Sequence, residues 1–289
     1  LNQGHQVVAL DNFSTGARAN LKVHSALEVI DHDIVHPWQG EVEQIFHLAC
    51  PASPVKYQED PLQTLRTSFL GTQNVLELAS HLQARVLLAS TSEVYGDPTV
   101  SPQPESYFGN VNTLGPRSCY DEGKRVAESL CFAFAQQRGT QIRIARIFNT
   151  YGPRMAQDDG RMVSNFATQA LRGEDITIYG SGQQTRSLCY VDDLVAGLLL
   201  LMKTPGAALE PPVNLGNPHE LRVVEVAQII LRLTQSQSRL RFLPPSQDDP
   251  KQRCPDISRA RQWLQWSPTV DTEQGLRKTC DHFRSVLCS

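Results

Sequence analysis

Apolar runs of strand length alternate with helical patterns through the first half of the chain. That alternation is the signature of βαβ units and forces a parallel sheet with helices on both faces. The strand candidates are residues 6–10 (QVVAL), 26–30, 44–49 (QIFHLA), 85–89 (RVLLA) and 142–147. Asp11-Asn12 closes the first with turn chemistry, and Pro51 and Pro54 must stop the third. Apolar spacing predicts helices over 61–81, with Leu62, Leu65, Phe69, Val75, Leu76 and Leu78 on one face, and over 120–137.

Beyond Asn149 the character changes to short loops rich in Gly and Pro, with helices near 163–171, 193–202 and 223–233 and strands at 176–179 and 240–243. The expectation is a Rossmann-type, doubly wound α/β domain over 1–150, with a later contribution from about 185–216. A smaller α/β substrate-binding domain follows over 151–289.

Composition excludes several classes. Twenty-seven Lys and Arg against thirty Asp and Glu give a formal charge of −3, so there is no basic footprint for nucleic acid. The longest apolar run, 194–202, is about half the ~18 residues of a membrane span and reads as a buried helix. Seven Cys without a CxxC pair fit a reduced, cytoplasmic protein. His32 and His36 flank Asp33 without a third ligand, so no metal site is expected. Gly180-Ser-Gly182 lacks the setting of a phosphate loop, and Asp192-Asp193 reads as a helix cap.

Tyr120 and Lys124 are four apart, on one helix face. A lysine beside a phenol lowers its pKa from ~10 and makes it a better acid or base near neutrality. Alone, that spacing also describes a solvated helix face. One βα unit upstream, however, the strand at 85–89 delivers Ser90, Thr91, Ser92 and Glu93 to its C-terminal end, where open α/β sheets bind ligands.

Seven motifs then stand in order: STSEVYGDP (90–98), YDEGKRVAE (120–128), RIFNTYGPRM (146–155), DGRMVSNF (159–166), YGSGQQTRSLCYVDDL (179–194), NLGNP (214–218) and DDPKQRCPD (248–256). Together they resemble the extended short-chain dehydrogenase/reductase family, and within it the UDP-glucuronate decarboxylases, or UDP-xylose synthases. The resemblance implies NAD-dependent oxidation of the sugar C4 hydroxyl, loss of carbon dioxide from the resulting β-keto acid, and hydride return, giving UDP-xylose with NAD regenerated. By the same resemblance Tyr120 takes the hydroxyl proton and Lys124 holds the nicotinamide ribose. Thr91 bonds the C4 oxygen, Glu93 lies near C5, and Arg186 meets the glucuronate carboxylate. Related 4,6-dehydratases carry Asp where this chain has Ser92, a poor general acid.

Cofactor positions implied by the resemblance are Asp11, Asn12, Phe13, Thr15 and Gly16 around the adenosine, then Asp33 and Ile34 beside the adenine. Leu48 and Cys50 lie beneath the pyrophosphate and ribose, with Thr67, Ala89, Thr150 and Arg161 as further contacts. Asp11 also reads as a plain turn residue; as a strand-end acid it accepts ribose hydroxyls and favours NAD over NADP. Substrate positions implied are Lys56, Tyr57, Arg66, Asn149, Asn165, Ile176, Tyr179 and Gln184. Arg253 is the candidate for the diphosphate. Relatives commonly form homodimers through the helices of 62–78 and Tyr120.

Asp11 stands only eleven residues in, whereas such an acid lies ~20 residues after the Gly-rich turn. The expectation is a partial sequence whose first strand and Gly-rich turn lie upstream of Leu1. The alternatives to the decarboxylase are a UDP-sugar 4-epimerase, a 4,6-dehydratase or an inactive truncated homologue.

Overall fold

The computed structural model describes residues 1–206, 208, 211–245 and 252–287. Asp248 to Lys251 of the DDPKQRCPD motif lie outside the described residues. A four-stranded parallel sheet organises the fold: β3 (Gln44–His47), β4 (Arg85–Thr91), β5 (Ile142–Ile147) and β10 (Val213–Leu215), in the order β10-β5-β4-β3. Its register sets Ile45 opposite Val86 and Ala145 opposite both Ala89 and Val213. β1 (Val7–Asp11) and β2 (Leu27–Asp31) form a separate parallel pair. No ladder joins it to β3 among the described residues.

β4 shows why the sheet is covered on both sides. Its side chains alternate, and both sets are apolar. Val86 and Leu88 pack with α3 (Thr72–Leu82) and α4 (Ser118–Arg138), against Leu76, Ala79, Ala127 and Cys131. Leu87 points the other way, to α6 (Val191–Lys203) and α8 (Ser258–Leu264), among Leu198, Leu201, Met202 and Trp266. A third core joins α5 (Met162–Arg172), α7 (Val223–Thr234) and α9 (Thr272–Leu287) over β7 (Ile176–Tyr179) and its parallel partner β12 (Leu240–Leu243). The short pairs β6 (Thr150–Tyr151) with β9 (Cys189–Tyr190), and β8 (Thr185–Ser187) with β11 (Glu220–Arg222), complete the architecture.

The helix expected over 61–81 is divided. α1 (Pro54–Glu59) and α2 (Pro61–Arg66) each begin with Pro at the first helical position. Ser53 Oγ accepts from Lys56 N, and Asp60 Oδ1 accepts from Gln63 N. Proline thus opens both helices, because its missing N–H is no loss in a first turn. Between α2 and α3 the chain makes a π-turn, Thr67–Gly71, which adds a residue to the turn and sets Ser68 against Gly123 of α4.

Asp192-Asp193 does not cap its helix as expected. Asp193 is buried in the first turn of α6, and its carboxylate accepts from Thr269 N, Thr269 Oγ1 and Val270 N. It ties α6 to the segment before α9, where three otherwise lost donors need an acceptor.

Candidate active site

The site is built on the C-terminal end of β4. Thr91 Oγ1 accepts from Glu93 N at 3.2 Å and caps a tight turn over Ser92–Tyr95. α4 is fastened alongside: Lys124 Nζ donates to the Ala89 carbonyl at 2.9 Å. One turn earlier on α4, the Tyr120 phenol is hydrogen-bonded by Thr91. The Tyr57 ring, from α1, stacks on Tyr120 with centroids 5.0 Å apart and planes 5° from parallel. Cys50 packs against this ring pair, and its Sγ lies 3.4 Å from Ser68 Oγ.

Lys124 does not dominate Tyr120 as the spacing implied. Its Nζ is 5.8 Å from the ring centroid, and burial pushes the phenol's pKa up, with the thiol of Cys50 and the carboxylate of Glu93 adding to it. The Thr91 bond and the charge of Arg161 oppose that rise only partly. Buried His47 feels the charge of Lys124 and is hydrogen-bonded through Nε2 to Thr72 Oγ1 at 2.9 Å. Burial, then Lys124, lowers its pKa to about 3, so it is a neutral imidazole.

Glu93 is the most strongly held side chain here. Arg253 donates Nη1 to Oε1 at 2.6 Å and Nη2 to Oε2 at 2.9 Å, while Arg117 Nη2 reaches both oxygens at 2.8 Å. Burial alone would favour its neutral form; the guanidiniums of Arg253 and Arg117 outweigh burial and hold the carboxyl well below the usual range. Arg253, expected at the diphosphate, therefore meets a protein carboxylate in this structure, because a buried carboxylate requires compensating charge. Asp121 stands beside this cluster, buried, and burial followed by Glu93 pushes its carboxyl up to about 7.

Arg117 and Asp121 were not reached from the sequence. Their i,i+4 spacing at the start of α4 is the only signal, since Glu93, which binds Arg117 and repels Asp121, comes from another element.

Behind the site, Glu128 and Arg146 tie α4 to β5. Arg146 Nε and Nη2 donate to the two Glu128 oxygens at 3.0 and 2.7 Å, and Ser90 Oγ donates to Glu128 Oε1 at 2.5 Å. Arg146 Nη1 also donates to Tyr95 Oη at 3.1 Å, and Tyr95 Oη donates to Asn214 Oδ1 at 2.8 Å.

A second cluster gathers at the end of β1. Asp11 Oδ1 accepts from Phe13 N at 2.7 Å, and a Cβ on Gly16 would stand 3.1 Å from Asp11 Oδ2. Asp33 Oδ2 accepts from Asn12 Nδ2 at 3.1 Å and from Gln63 Nε2 at 3.0 Å. Ile34 packs against Gly71, and Thr15 is exposed. Thr67 is buried in the π-turn, whereas Leu48 is exposed.

The remaining expected residues spread along the later segments. Lys56 Nζ is paired with Asp158 Oδ2 at 3.2 Å, and Arg161 Nε with Asp159 Oδ2 at 2.5 Å. Arg66 is exposed at the end of α2. Thr150 Oγ1 donates to Phe148 O, the Asn149 carbonyl accepts from Cys189 N, and Asn165 Nδ2 donates to Gly160 O. Ile176 is buried and Tyr179 exposed on β7, and Gln184 Nε2 donates to the Tyr179 carbonyl at 2.6 Å. Arg186 is buried on β8, where Nη1 donates to Thr185 O at 2.8 Å. Among the described residues no metal-binding group of His, Cys, Asp or Glu exists, and His32 Nε2 contacts His36 O instead.

A doubly wound parallel sheet with a Tyr–Lys pair at the end of a central strand defines a dinucleotide-binding α/β enzyme. A family model described as the NAD dependent epimerase/dehydratase family matches residues 1–216. The chain belongs to that family. It is 54% identical over 287 residues to UDP-glucuronic acid decarboxylase 1 of Danio rerio, covering 98% of this chain and 68% of that one. UDP-glucuronic acid decarboxylase 5 of Arabidopsis thaliana is 51% identical over 289 residues, covering 99% and 84%. Among solved structures, UDP-glucose 4-epimerase from Thermotoga maritima with UDP-glucose matches at a TM-score of 0.90 and 27% identity, covering 99% and 93%. UDP-glucuronic acid 4-epimerase from Bacillus cereus, with UDP-glucuronic acid and NAD, matches at 0.86 and 25%, covering 99% and 93%.

Proposed function

We propose that the chain converts UDP-glucuronate to UDP-xylose and carbon dioxide, with NAD as a cofactor that is regenerated in each cycle. The observation that carries this reading is Glu93, locked by two guanidiniums beside Tyr120. The relatives named UDP-glucuronic acid decarboxylase support it at about half identity over nearly the whole chain.

The residues at the end of β1 fit NAD. Asp11 offers a strand-end carboxylate to the adenosine ribose, and the space in front of it at Gly16 is one a Cβ would crowd. Bound NAD would supply reversible hydride acceptance opposite C4. Tyr120 removes the C4 hydroxyl proton and later returns it, and Thr91 holds the C4 oxygen in line. Lys124, anchored on the Ala89 carbonyl, positions the nicotinamide ribose.

Oxidation at C4 turns the C5 carboxylate into that of a β-keto acid. Its C–C bond breaks heterolytically, the electron pair remains on C5 as an enolate, and C5 is then protonated. Glu93 is held too acidic to act as a base in the free protein; it fixes Arg253 and Arg117 beside C5, where they neutralise the enolate charge. Arg186 contacts the incoming carboxylate. Ser92 is buried at the position where water elimination needs an acid, which disfavours the dehydratase reading.

Residues 1–150 with 185–216 carry NAD, and 151–289 mainly the UDP-sugar, through Asn165, Ile176, Tyr179 and Gln184, with Asn149, Lys56, Tyr57 and Arg66 reaching it from the first domain. Exposed Leu62, Leu65 and Phe69 of α2 and the π-turn, with Phe132 of α4, support a homodimer through these helices. No described helix is long and apolar enough to cross a membrane. The six described cysteines are free, which supports the cytoplasm as the compartment.

Incubation with NAD and UDP-[14C]glucuronate tests the reading. Labelled carbon dioxide and UDP-xylose are expected; UDP-galacturonate or a released 4-keto sugar without carbon dioxide overturns it.

A further inference from the structure

Asp121 has no task in the reaction above. It follows Tyr120 in the first turn of α4, is 6% exposed, and its Oδ1 finds no hydrogen-bond partner. A buried carboxylate with an unbonded oxygen is costly when charged, and a proton relieves that cost. The groups acting on it come from every element packed there. Glu93 belongs to the turn after β4, Tyr57 to α1 and Arg253 to the segment before α8, while Arg117, Cys119 and Glu122 flank it on α4. Two carboxylates and two guanidiniums therefore share one compartment, and Glu93 already occupies both guanidiniums.

Charge and proton counts converge on this residue. With Asp121 ionised, Glu93, Asp121, Arg117 and Arg253 sum to zero. A substrate carboxylate entering beside them, with Arg186 as its own contact, brings a further negative charge towards Asp121 and favours a proton there. Decarboxylation consumes one proton: R–CO2⁻ + H⁺ gives R–H + CO2, the C–C bond pair staying on C5 until the proton arrives.

We propose that Asp121 is a positioning residue that stores this proton, taking it up as the substrate carboxylate enters and releasing it when C5 is protonated. The inference rests on the decarboxylase reading and supplies the proton which that reading needs. Burial, then Glu93, brings the Asp121 carboxyl to about 7, where the proton is exchangeable at neutral pH.

The test measures proton uptake on binding, with a pH indicator in weak buffer, using NAD-loaded Tyr120→Phe protein so that turnover does not interfere. Binding of UDP-glucuronate at pH 8 should take up about one proton per site, binding of UDP-glucose none, and the Tyr120→Phe/Asp121→Asn protein none with either. Uptake unchanged by Asp121→Asn, or no uptake despite binding, overturns the inference alone. Failure of UDP-glucuronate to bind overturns the decarboxylase reading and the inference with it.

In turnover at pH 8, Asp121→Asn should lower KM several-fold, since no proton need be recruited, and lower kcat by about tenfold or more. Asp121→Glu should recover most of kcat and the pH dependence. Loss of both parameters alike at every pH, unrescued by Glu, assigns Asp121 a structural role and overturns the proposal.

Discussion

Glu93 and Arg253 stand 160 residues apart and meet through two parallel hydrogen bonds, so the tail of the chain closes the site that β4 opens. The fork geometry is specific to a guanidinium. Arg253→Ala is expected to lower kcat by ~10²-fold, the scale of one or two charge-assisted bonds, and Arg253→Lys to recover less than a tenth of the loss. UDP-xylose formation checks this; full activity in the Lys variant would show that charge suffices and the fork does not matter.

Tyr120→Phe removes the hydroxyl, hydrogen-bonded by Thr91, that exchanges the C4 proton in this reading. Turnover should fall by ~10²–10⁴-fold, with UDP-glucuronate affinity within a few-fold of the parent by calorimetry. Retained turnover would remove Tyr120 from the mechanism.

The Tyr120 phenol should titrate well above its ordinary range in the free protein, because burial raises it and Lys124 lies too far over the ring to offset that. With NAD bound, the added positive charge of the nicotinamide should bring the titration down. Ultraviolet difference titration of wild type against Tyr120→Phe reads both; an identical curve with and without NAD would count against activation by the assembled site.

Asp121 gives a pH effect on stability that needs no substrate. Its folded pKa, about 7, lies above the ordinary aspartate value of 3.8, so the folded state holds a proton that the unfolded state releases. Stability attributable to this group is full below about pH 4 and is lost as the pH rises through 7. Asp121→Asn should abolish that loss and stabilise the protein at pH 8 by ~2–4 kcal/mol relative to its effect at pH 4. Urea unfolding at the two pH values decides it, and equal effects would contradict the shift.

Arg146 and Glu128 form a half-hidden pair, each side chain 13% exposed, between β5 and α4. Arg146→Met strands Glu128 with Ser90 alone and should cost ~3–5 kcal/mol, whereas adding Glu128→Leu should recover much of it. Thermal unfolding of the single and double variants measures the difference; additive losses would mean that the pair does not act as a unit.

Sequence patterning made the main sheet, α4 and the groups Thr91, Glu93, Tyr120 and Lys124 legible, because period and motif both mark them. Strands of two or three residues, such as β6, β8, β9 and β11, carry too little period to be read. Arg253 was legible as a cation but not as the partner of Glu93, since that contact is set by tertiary closure. Lys124 shows the converse. Spacing placed it beside Tyr120, yet only the packed structure reveals that burial outweighs its charge.

The π-turn has a consequence for how this sequence can vary. A methyl group on Gly123 would stand 2.8 Å from Ser68 Oγ and 2.9 Å from Ser68 Cβ, so the smallest residue in α4 faces the extra residue of its neighbour. Neither position is free to drift by itself: enlarging one demands shrinking the other or rewinding the turn. Substitutions at 68 and 123 should therefore travel together through descent, a linked pair whose history is written in joint changes.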